Sequence, residues 1–272
     1  MNHVFAFLLA ASLPLAAQWL NHPDPRTPRT KDGKPNLTAP APRLNGKPDL
    51  SGVWQAERST EREFVSLLGK GGVDVQVDVN DVTKYALNLF FGLKPEEVPL
   101  RPEAASIFKR RAENPLGPPA FRCLPDSIPM AMFILTFKVI QAPREIVLLF
   151  ENADPARQIH TDGRSLPKDP QPSWMGYSVG KWEGDTLVVE TNGLNEEGWL
   201  DIFGHPRSEA MRITERYRRR DFGHMDLEIT FNDPKYYTRP FSIKTGLGLI
   251  PDTDILEYVC NENEKDRAHV GK

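Results

Sequence analysis

The amino-acid sequence predicts a mainly β protein, folded as a single antiparallel meander barrel or a sandwich, with a few helices inserted near residues 81–112. From Phe133 onward, short runs rich in Val, Ile, Tyr and Phe alternate with clusters of Gly, Pro, Asp and Asn, which is the pattern of strands and turns. Their regular spacing is typical of barrels and sandwiches. No repeat and no second globular composition appears, so we expect one domain over residues 49–272.

Each element has its own local signal. The first strand is predicted in PDLSGVW, after the turn-forming pair Asn45-Gly46. Helices are predicted in DVTKYALNLFF and PEAASIFKRRAEN, because Asp81 and Pro102 favour helix starts. The tripeptide Glu183-Gly184-Asp185 predicts a hairpin turn. The remaining strands are predicted, in chain order, in FKVIQA, EIVLLFE, RQIHTD, GYSVGKW, TLVVET, AMRITERYRR, HMDLEITF, RPFSIKTGL and ILEYVC.

The stretch ITERYRRRDFGHMDLEITF, residues 213–231, carries enough detail to predict a hairpin register. We expect a three-residue loop, Asp221-Phe222-Gly223, with Gly223 in the left-handed conformation. This loop puts opposite charges on one face and apolar side chains on the other, which is the arrangement that cross-strand pairing favours. The predicted pairs are Arg220 with His224, Arg218 with Asp226, Arg216 with Glu228, Thr214 with Thr230, Tyr217 with Leu227, Glu215 with Ile229 and Ile213 with Phe231.

Glu215 is the residue that this register leaves out of place, because it lies on the apolar face between Ile213 and Tyr217. A buried carboxylate needs a partner. Two orientations of the hairpin remain open. Either the apolar face lines the interior, or the Arg/His/Asp face lines a polar cavity and the early helices cover the apolar face.

Residues 1–17 are predicted to be a signal peptide. The apolar run from Val4 to Ala17 is too short to span a membrane and ends in small residues suited to cleavage. Residues 18–48 are rich in Pro and basic residues, so we expect an extended leader. No later segment reaches membrane-spanning length, and we therefore predict a secreted or periplasmic protein. The formal net charge of -3 gives no large basic surface, which argues against nucleic acid as a partner.

The chain has two cysteines, Cys123 and Cys260. An even number in an exported protein favours a disulfide between them, and two buried thiols are the alternative. No histidine lies at a ligand-like spacing from either cysteine, so no metal site is predicted there. Phosphate-loop and dinucleotide fingerprints are absent, and the sequence identifies no cofactor.

Three residues are the candidates for acid–base catalysis: Glu215, His160 and His205. His160 lies in the predicted strand RQIHTD, and His205 lies in a predicted loop that also holds Asp201. Both histidines have a structural alternative, a half-buried imidazole in a sheet or a turn closed by side-chain hydrogen bonds. A G-x-S-x-G elbow and a metal-binding histidine spacing are both missing. The candidate ligand-binding residues are Trp54, Tyr177, Trp182, Tyr217, Asp201 and His224.

Several segments together resemble a family of exported bacterial proteins of unknown function: RCLP, RQIHTDGR, PSWMGYSVGKWEGDTLVVET, TERYRRRDFGHMD and LEYVCNEN. The resemblance covers the chain from about Pro48 to its end and implies no activity for any residue. The segment DSIPM departs from the more glycine-rich turn expected after RCLP. Separately, Gly52-Val53-Trp54 resembles the G-x-W start of lipocalin-type barrels, which implies a lipocalin-like, ligand-binding barrel.

Three functions fit these observations. The first is an exported barrel that binds a small apolar or amphipathic molecule in its cavity, where Glu215 or His160 orients the polar group of the ligand. The second is an acid–base enzyme (a hydrolase, isomerase or lyase) on the same scaffold. The third is an envelope protein-interaction module. Convergence of Glu215, His160 and His205 on one pocket favours an enzyme, an apolar cavity favours a carrier, and the absence of a cavity favours the interaction module.

Overall fold

A computed structural model describes residues 22–68, 83–114, 116–152 and 155–260. The predicted signal peptide and the predicted helix start at Asp81 lie outside the described residues. The strands are β1 (Arg43–Leu44), β2 (Lys47–Pro48), β3 (Gly52–Ala56), β4 (Phe137–Gln141), β5 (Glu145–Phe150), β6 (Arg157–His160), β7 (Tyr177–Glu183), β8 (Thr186–Asn192), β9 (Arg212–Arg219), β10 (His224–Asn232) and β11 (Phe241–Leu249). The α-helices are α1 (Glu61–Leu68), α2 (Lys84–Leu87), α3 (Pro102–Ala112) and α4 (Ala131–Ile134).

Strands β3 to β11 form a closed barrel in which each strand pairs with the next along the chain and β11 pairs with β3. All neighbouring strands are antiparallel except β6 and β7, which are parallel. A ring with an odd number of strands cannot reverse direction at every pair, so the count itself requires a parallel pair. Two residue pairs form it, Ile159 with Ser178 and His160 with Val179. We call this short pairing the parallel seam.

The predicted mainly β class and the barrel are confirmed, and the sandwich alternative is not formed. Helix α3 begins at Pro102, as predicted. The strand predicted in ILEYVC is wrong, because residues 255–260 form no strand. Since β11 already pairs with β3, the barrel has no open edge to which a further strand could add.

The predicted hairpin register of β9 and β10 is confirmed along its length: Glu215 pairs with Ile229, Tyr217 with Leu227 and Arg218 with Asp226. The inward side chains of both strands are buried, and they are the predicted apolar face with Glu215. The Arg/His/Asp face is therefore on the outside, and the alternative in which it lines the interior is wrong.

On this outer face the ion pairs of Asp226 and Arg216 do not follow the predicted cross-strand pairing of β9 with β10. Asp226 lies opposite Arg218, but it forms its ion pair with Arg220, at 3.2 Å. Arg216 reaches across β8 to Glu183, at 3.0 Å. A long arginine side chain can pair with any of several nearby carboxylates at little cost in stability, because an exposed ion pair contributes only about 0–1 kcal/mol.

The barrel interior is filled by side chains. In β5, β9 and β10 every second residue is buried, as expected for strands with one face inward. These residues form a continuous apolar core with Trp54 of β3 and with Met132 and Phe133 of α4. A space of about 10 Å³ remains among inward residues such as Tyr217 and Met225, which leaves room for at most about one water molecule.

The described part of the leader, residues 22–48, lies along the outside of the barrel. The Phe222 backbone N–H donates to the Ala39 carbonyl, and the Gly223 N–H donates to the Leu37 carbonyl, both over 2.7 Å. Arg43 forms an ion pair with Asp185 at 2.8 Å. The leader thus binds the turns at one end of the barrel through its backbone and through the Arg43 side chain.

Gly223 is not in the left-handed conformation that the sequence predicts. A Cβ atom at this position would lie 2.5 Å from the Leu37 Cβ and 3.0 Å from the Leu37 Cα. Glycine is therefore required for the close approach of the leader, and not for a positive φ.

The predicted disulfide is present and joins Cys123 to Cys260, which are 137 residues apart in sequence. It connects the segment before α4 to the end of the described chain. In the part of the chain that the structure describes, no helix combines the length and the apolar character needed to cross a membrane.

Candidate functional site

Glu215 lies inside the barrel and forms an ion pair with Arg157 of β6. Arg157 Nη1 donates to Glu215 Oε1 over 2.9 Å, and Nη2 donates to Oε2. Tyr217 Oη donates to the same Oε1 over 2.7 Å. The Arg157 guanidinium also donates to the hydroxyls of Ser178 and Thr191 over 3.0–3.2 Å. The carboxylate on the apolar face is therefore fully partnered, by a cation that lies 58 residues away in sequence.

The charges of this network are fixed by burial and by each other. Burial raises the pKa of the Tyr217 phenol well above its ordinary value, and the neighbouring Glu215 carboxylate raises it further. Burial also opposes the charged form of Arg157, but the adjacent Glu215 carboxylate outweighs it and holds the pKa of Arg157 above its ordinary value. Because about 1% of each ion-paired side chain is exposed, a substrate does not reach this pair without opening the barrel.

His205 forms a second buried pair, in the segment that follows β8. Its Nδ1 lies 2.5 Å from Asp201 Oδ2. The imidazole stacks on Phe108 of α3 with ring centroids 4.4 Å apart, and Phe90 meets it at 4.7 Å in an edge-on arrangement. Since His205 is only 4% exposed, its ring is part of the packing between this segment and α3.

Asp201 also closes the turn that precedes His205. Its Oδ1 accepts from the backbone N–H groups of Gly204 and His205, over 3.0 and 3.1 Å. Its Oδ2 accepts from the Leu89 N–H over 2.7 Å, which ties this turn to the segment after α2. These bonds are the structural alternative expected for a loop carboxylate. The hydrogen bonds of Asp201 thus stabilise this turn and its contact with the segment after α2.

The third candidate, His160, lies on the outside of the barrel in a cleft of about 340 Å³ beside the parallel seam. We call it the seam cleft. In β6, Arg157 and Ile159 face the core while Gln158 and His160 face outward. The polar and aromatic residues that line the cleft include Gln158, His160, Ser173, Trp174, Tyr177 and Ser178.

The cleft exists because the chain leaves the barrel after β6 and returns at β7. Gly176 lies where it returns, with a φ of 65°, and an added Cβ would lie 2.6 Å from the Asn192 carbonyl oxygen. This turn therefore requires glycine on both conformational and steric grounds. Ser178, two residues later, lines the cleft and its hydroxyl accepts from Arg157, so Ser178 lies between the cleft and the buried ion pair.

Tyr177 is held at the edge of the cleft by Arg164, whose Nη1 donates to Tyr177 Oη over 3.0 Å. The ring of Tyr177 lies 5.2 Å from that of His160. Arg164 is itself held by Asp162, with Nε to Oδ1 at 2.9 Å and Nη2 to Oδ2 at 2.6 Å. The hydrogen bonds from Arg164 hold the pKa of Asp162 well below its usual range, so the pair stays charged at neutral pH. The segment RQIHTDGR thus supplies the cation of the buried ion pair and two residues that line the cleft. It also supplies the Asp162–Arg164 ion pair, which orients Tyr177.

Three side chains of the cleft retain free hydrogen-bonding capacity. A guanidinium can only donate, so the Tyr177 oxygen accepts from Arg164 and its own O–H remains free to donate. Within the described ranges, the side chains of Gln158 and His160 have no hydrogen-bond partner. These three groups can therefore bind a ligand without first breaking a bond within the protein.

The other predicted ligand-binding residues lie apart from this cleft. Trp54 is completely buried, donates from Nε1 to the Leu50 carbonyl over 2.9 Å, and lies under the Arg219 guanidinium at 4.9 Å. Trp182 is partly buried against the barrel core. His224 lies at the tip of the β9–β10 hairpin, where its Nδ1 is 2.7 Å from Asp221 Oδ1. Of the predicted aromatic residues, Tyr177 is the one that lines the seam cleft.

The three catalytic candidates do not meet in one pocket. Glu215 is inside the barrel, His205 is packed against α3, and His160 is on the outer surface. Nor do the described residues include a group of three or more His, Cys, Asp or Glu arranged to hold a metal ion.

The sequence-based site set missed Arg157, Gln158 and Trp174. The burial of Arg157 could have been predicted from the sequence, because Arg157 shares the inward face of β6 with Ile159, just as Glu215 shares a face with Ile213. Gln158 could have been predicted to face outward, because it alternates with the buried residues of β6 in the same way as His160. Trp174 precedes its strand in an irregular segment, and no periodicity could assign it to a cleft.

Comparison with protein-family models, with curated proteins and with solved structures finds no match to this chain.

Proposed function

We propose that this protein is an exported β-barrel that binds a small molecule in the seam cleft, on the outside of the barrel. The observation that carries the proposal is the free hydrogen-bonding capacity of Gln158, His160 and Tyr177, which line one cleft. Trp174 and Met175 add apolar surface beside them. Binding sites for small molecules combine such apolar surface with a few convergent polar groups, in clefts of about 300–1,000 Å³.

The barrel interior supports binding less well than the cleft. Its inward side chains form a continuous core, and the space among them is about 10 Å³. The polar group expected to orient a ligand there, Glu215, is already bonded to Arg157 and Tyr217. A ligand inside the barrel would have to displace part of the core.

The cleft also supports binding better than acid–base catalysis. The described residues that line it include one imidazole, that of His160, and no carboxylate. Proton shuttling of the expected kind pairs a histidine with a carboxylate. The histidine–carboxylate pairs in the described parts of the chain lie elsewhere, in the Asp201–His205 pair and at the tip of the β9–β10 hairpin.

A ligand-observed NMR screen tests this proposal. Saturation transfer is measured from the purified protein to a library of neutral, acidic and basic fragments. The variant His160→Ala/Tyr177→Ala removes two partly exposed side chains of the cleft, and His224→Ala is the matched control outside it. We expect a subset of fragments to give transfer with the wild type and the control but not with the double variant. Equal transfer to all three proteins, or no transfer to the folded wild type, would contradict the proposal.

A further inference from the structure

We infer that the ligand of the seam cleft is a neutral sugar, bound with one face of its ring against Trp174 and with its hydroxyls on Gln158, His160 and Tyr177. This inference rests on the proposed function and names the class of ligand for the same site. Three properties of the cleft carry it: its charge, its aromatic surface and the type of its free hydrogen-bonding groups.

Among the described residues, the lining of the cleft includes no Asp, Glu, Lys or Arg, so these side chains are uncharged when His160 is neutral. Arg164, which donates to the Tyr177 hydroxyl at the edge of the cleft, already forms its ion pair with Asp162. A charged ligand loses hydration when it enters a cleft and needs an opposite charge to offset that loss. The described residues that line the cleft supply none, so a neutral ligand fits it best.

The aromatic surface of the cleft selects a ligand with an apolar face. Trp174 and Tyr177 are partly exposed, and both line the cleft. The faces of aromatic rings carry partial negative charge, and the C–H bonds on one face of a pyranose carry partial positive charge, so the two faces attract. A sugar ring combines such a C–H face with polar edges.

The polar groups select a ligand with several hydroxyls. Arg164 fixes the Tyr177 phenol as a donor toward the ligand. The Gln158 amide and the neutral His160 imidazole each offer both a donor and an acceptor. A hydroxyl also donates and accepts, so a set of ring hydroxyls satisfies all three side chains at once. A purely apolar ligand would leave these groups without partners, which costs free energy once water is displaced.

Isothermal titration calorimetry with defined probes tests this inference. The neutral probes are D-glucose, D-galactose, N-acetylglucosamine and cellobiose, and the comparison probes are glucuronate, glucosamine and indole. The proteins are the wild type, Trp174→Ala, Tyr177→Phe and the control His224→Ala. We expect at least one neutral sugar to bind the wild type and the control, to lose measurable binding to Trp174→Ala, and to bind Tyr177→Phe about three- to tenfold more weakly, the usual effect of one hydrogen bond.

The outcomes separate this inference from the proposed function. If a charged probe or indole binds at the cleft in preference to the neutral sugars, the sugar inference is wrong and the proposed binding site stands. If sugars bind all four proteins equally, the sugar site lies elsewhere and the inference is overturned. If no probe binds the wild type, the inference is likewise overturned, and the fragment screen then decides whether the cleft binds any molecule.

Discussion

Arg157 and Glu215 form an ion pair inside the barrel, across the two strands that lie between them, with about 1% of each side chain exposed. Removing one partner leaves the other charge buried without compensation. We therefore expect Glu215→Gln to lower the free energy of unfolding by about 3–5 kcal/mol. Urea denaturation at neutral pH, monitored by circular dichroism, measures this change.

The matched control removes both charges. In Arg157→Met/Glu215→Leu, no buried charge is left unpaired, and replacement of such pairs by apolar residues is often neutral or stabilising. We expect this double variant to be more stable than Glu215→Gln. If Glu215→Gln is as stable as the wild type, Glu215 is solvated in solution and the ion pair is not formed.

Tyr217 gives a prediction at alkaline pH. Burial raises the pKa of this phenol well above its ordinary value near 10. Its contribution to stability is thus complete below pH 10, where Tyr217 is protonated in both states. As the pH rises past 10, the unfolded state loses the proton while the folded state keeps it, so the free energy of unfolding falls by up to about 1.4 kcal/mol per pH unit.

Tyr217→Phe should remove this fall. The variant loses a hydrogen bond to Glu215, so we expect it to be less stable at pH 7 by about 1.5–3 kcal/mol. Between pH 10 and 11 its free energy of unfolding should decline less than that of the wild type. Urea titrations at each pH measure both slopes, and identical slopes would show that Tyr217 ionises equally in the two states.

The sequence was sufficient to predict how β9 pairs with β10. The register of β9 and β10 follows from alternation alone, because a shift of one residue would put the arginines on the face of Ile213 and Tyr217. The same alternation identified Glu215 as buried. Its partner could not be named in the same way, because Arg157 is brought to it only when the barrel closes.

The remaining differences also depend on the whole ring of strands. ILEYVC has the composition of a strand, but β11 already pairs with β3 and leaves no edge for it. The seam cleft depends on the parallel pairing of β6 and β7, and no turn motif in the sequence predicts this pairing. His205 and Asp201 lie in one predicted loop, but the contact with Phe108 of α3 that buries the imidazole joins distant segments.

The disulfide between Cys123 and Cys260 should contribute strongly to stability, because it closes a loop between cysteines 137 residues apart. In the chain-entropy model a loop of this length is worth about 4–5 kcal/mol. We expect Cys123→Ala/Cys260→Ala to lower the free energy of unfolding by about this amount, as measured in urea. A change below about 1 kcal/mol would mean that the bond merely tethers the end of the chain and does not restrict the unfolded state of the barrel.

Gly223 should be required for binding of the leader to the barrel. A Cβ atom there would lie 2.5 Å from the Leu37 Cβ and 3.0 Å from the Leu37 backbone Cα and carbonyl oxygen, atoms that no rotamer change can move. Gly223→Ala must therefore shift the leader and break the 2.7 Å bond from the Gly223 N–H to the Leu37 carbonyl. We expect a loss of about 1–3 kcal/mol, the usual cost of overpacking.

Limited trypsin digestion distinguishes local release of the leader from global unfolding. Arg29 and Lys31 lie in the leader before Leu37 and are not followed by proline, so Gly223→Ala should be cut at these residues faster than the wild type while the barrel remains intact. Gly248→Ala is the matched control, because an added Cβ at this strand position meets no atom within 4 Å. Equal cleavage rates in Gly223→Ala and Gly248→Ala would show that the leader does not depend on the contact at Gly223. Faster cleavage in Gly223→Ala alone would show that this contact holds the leader against the barrel.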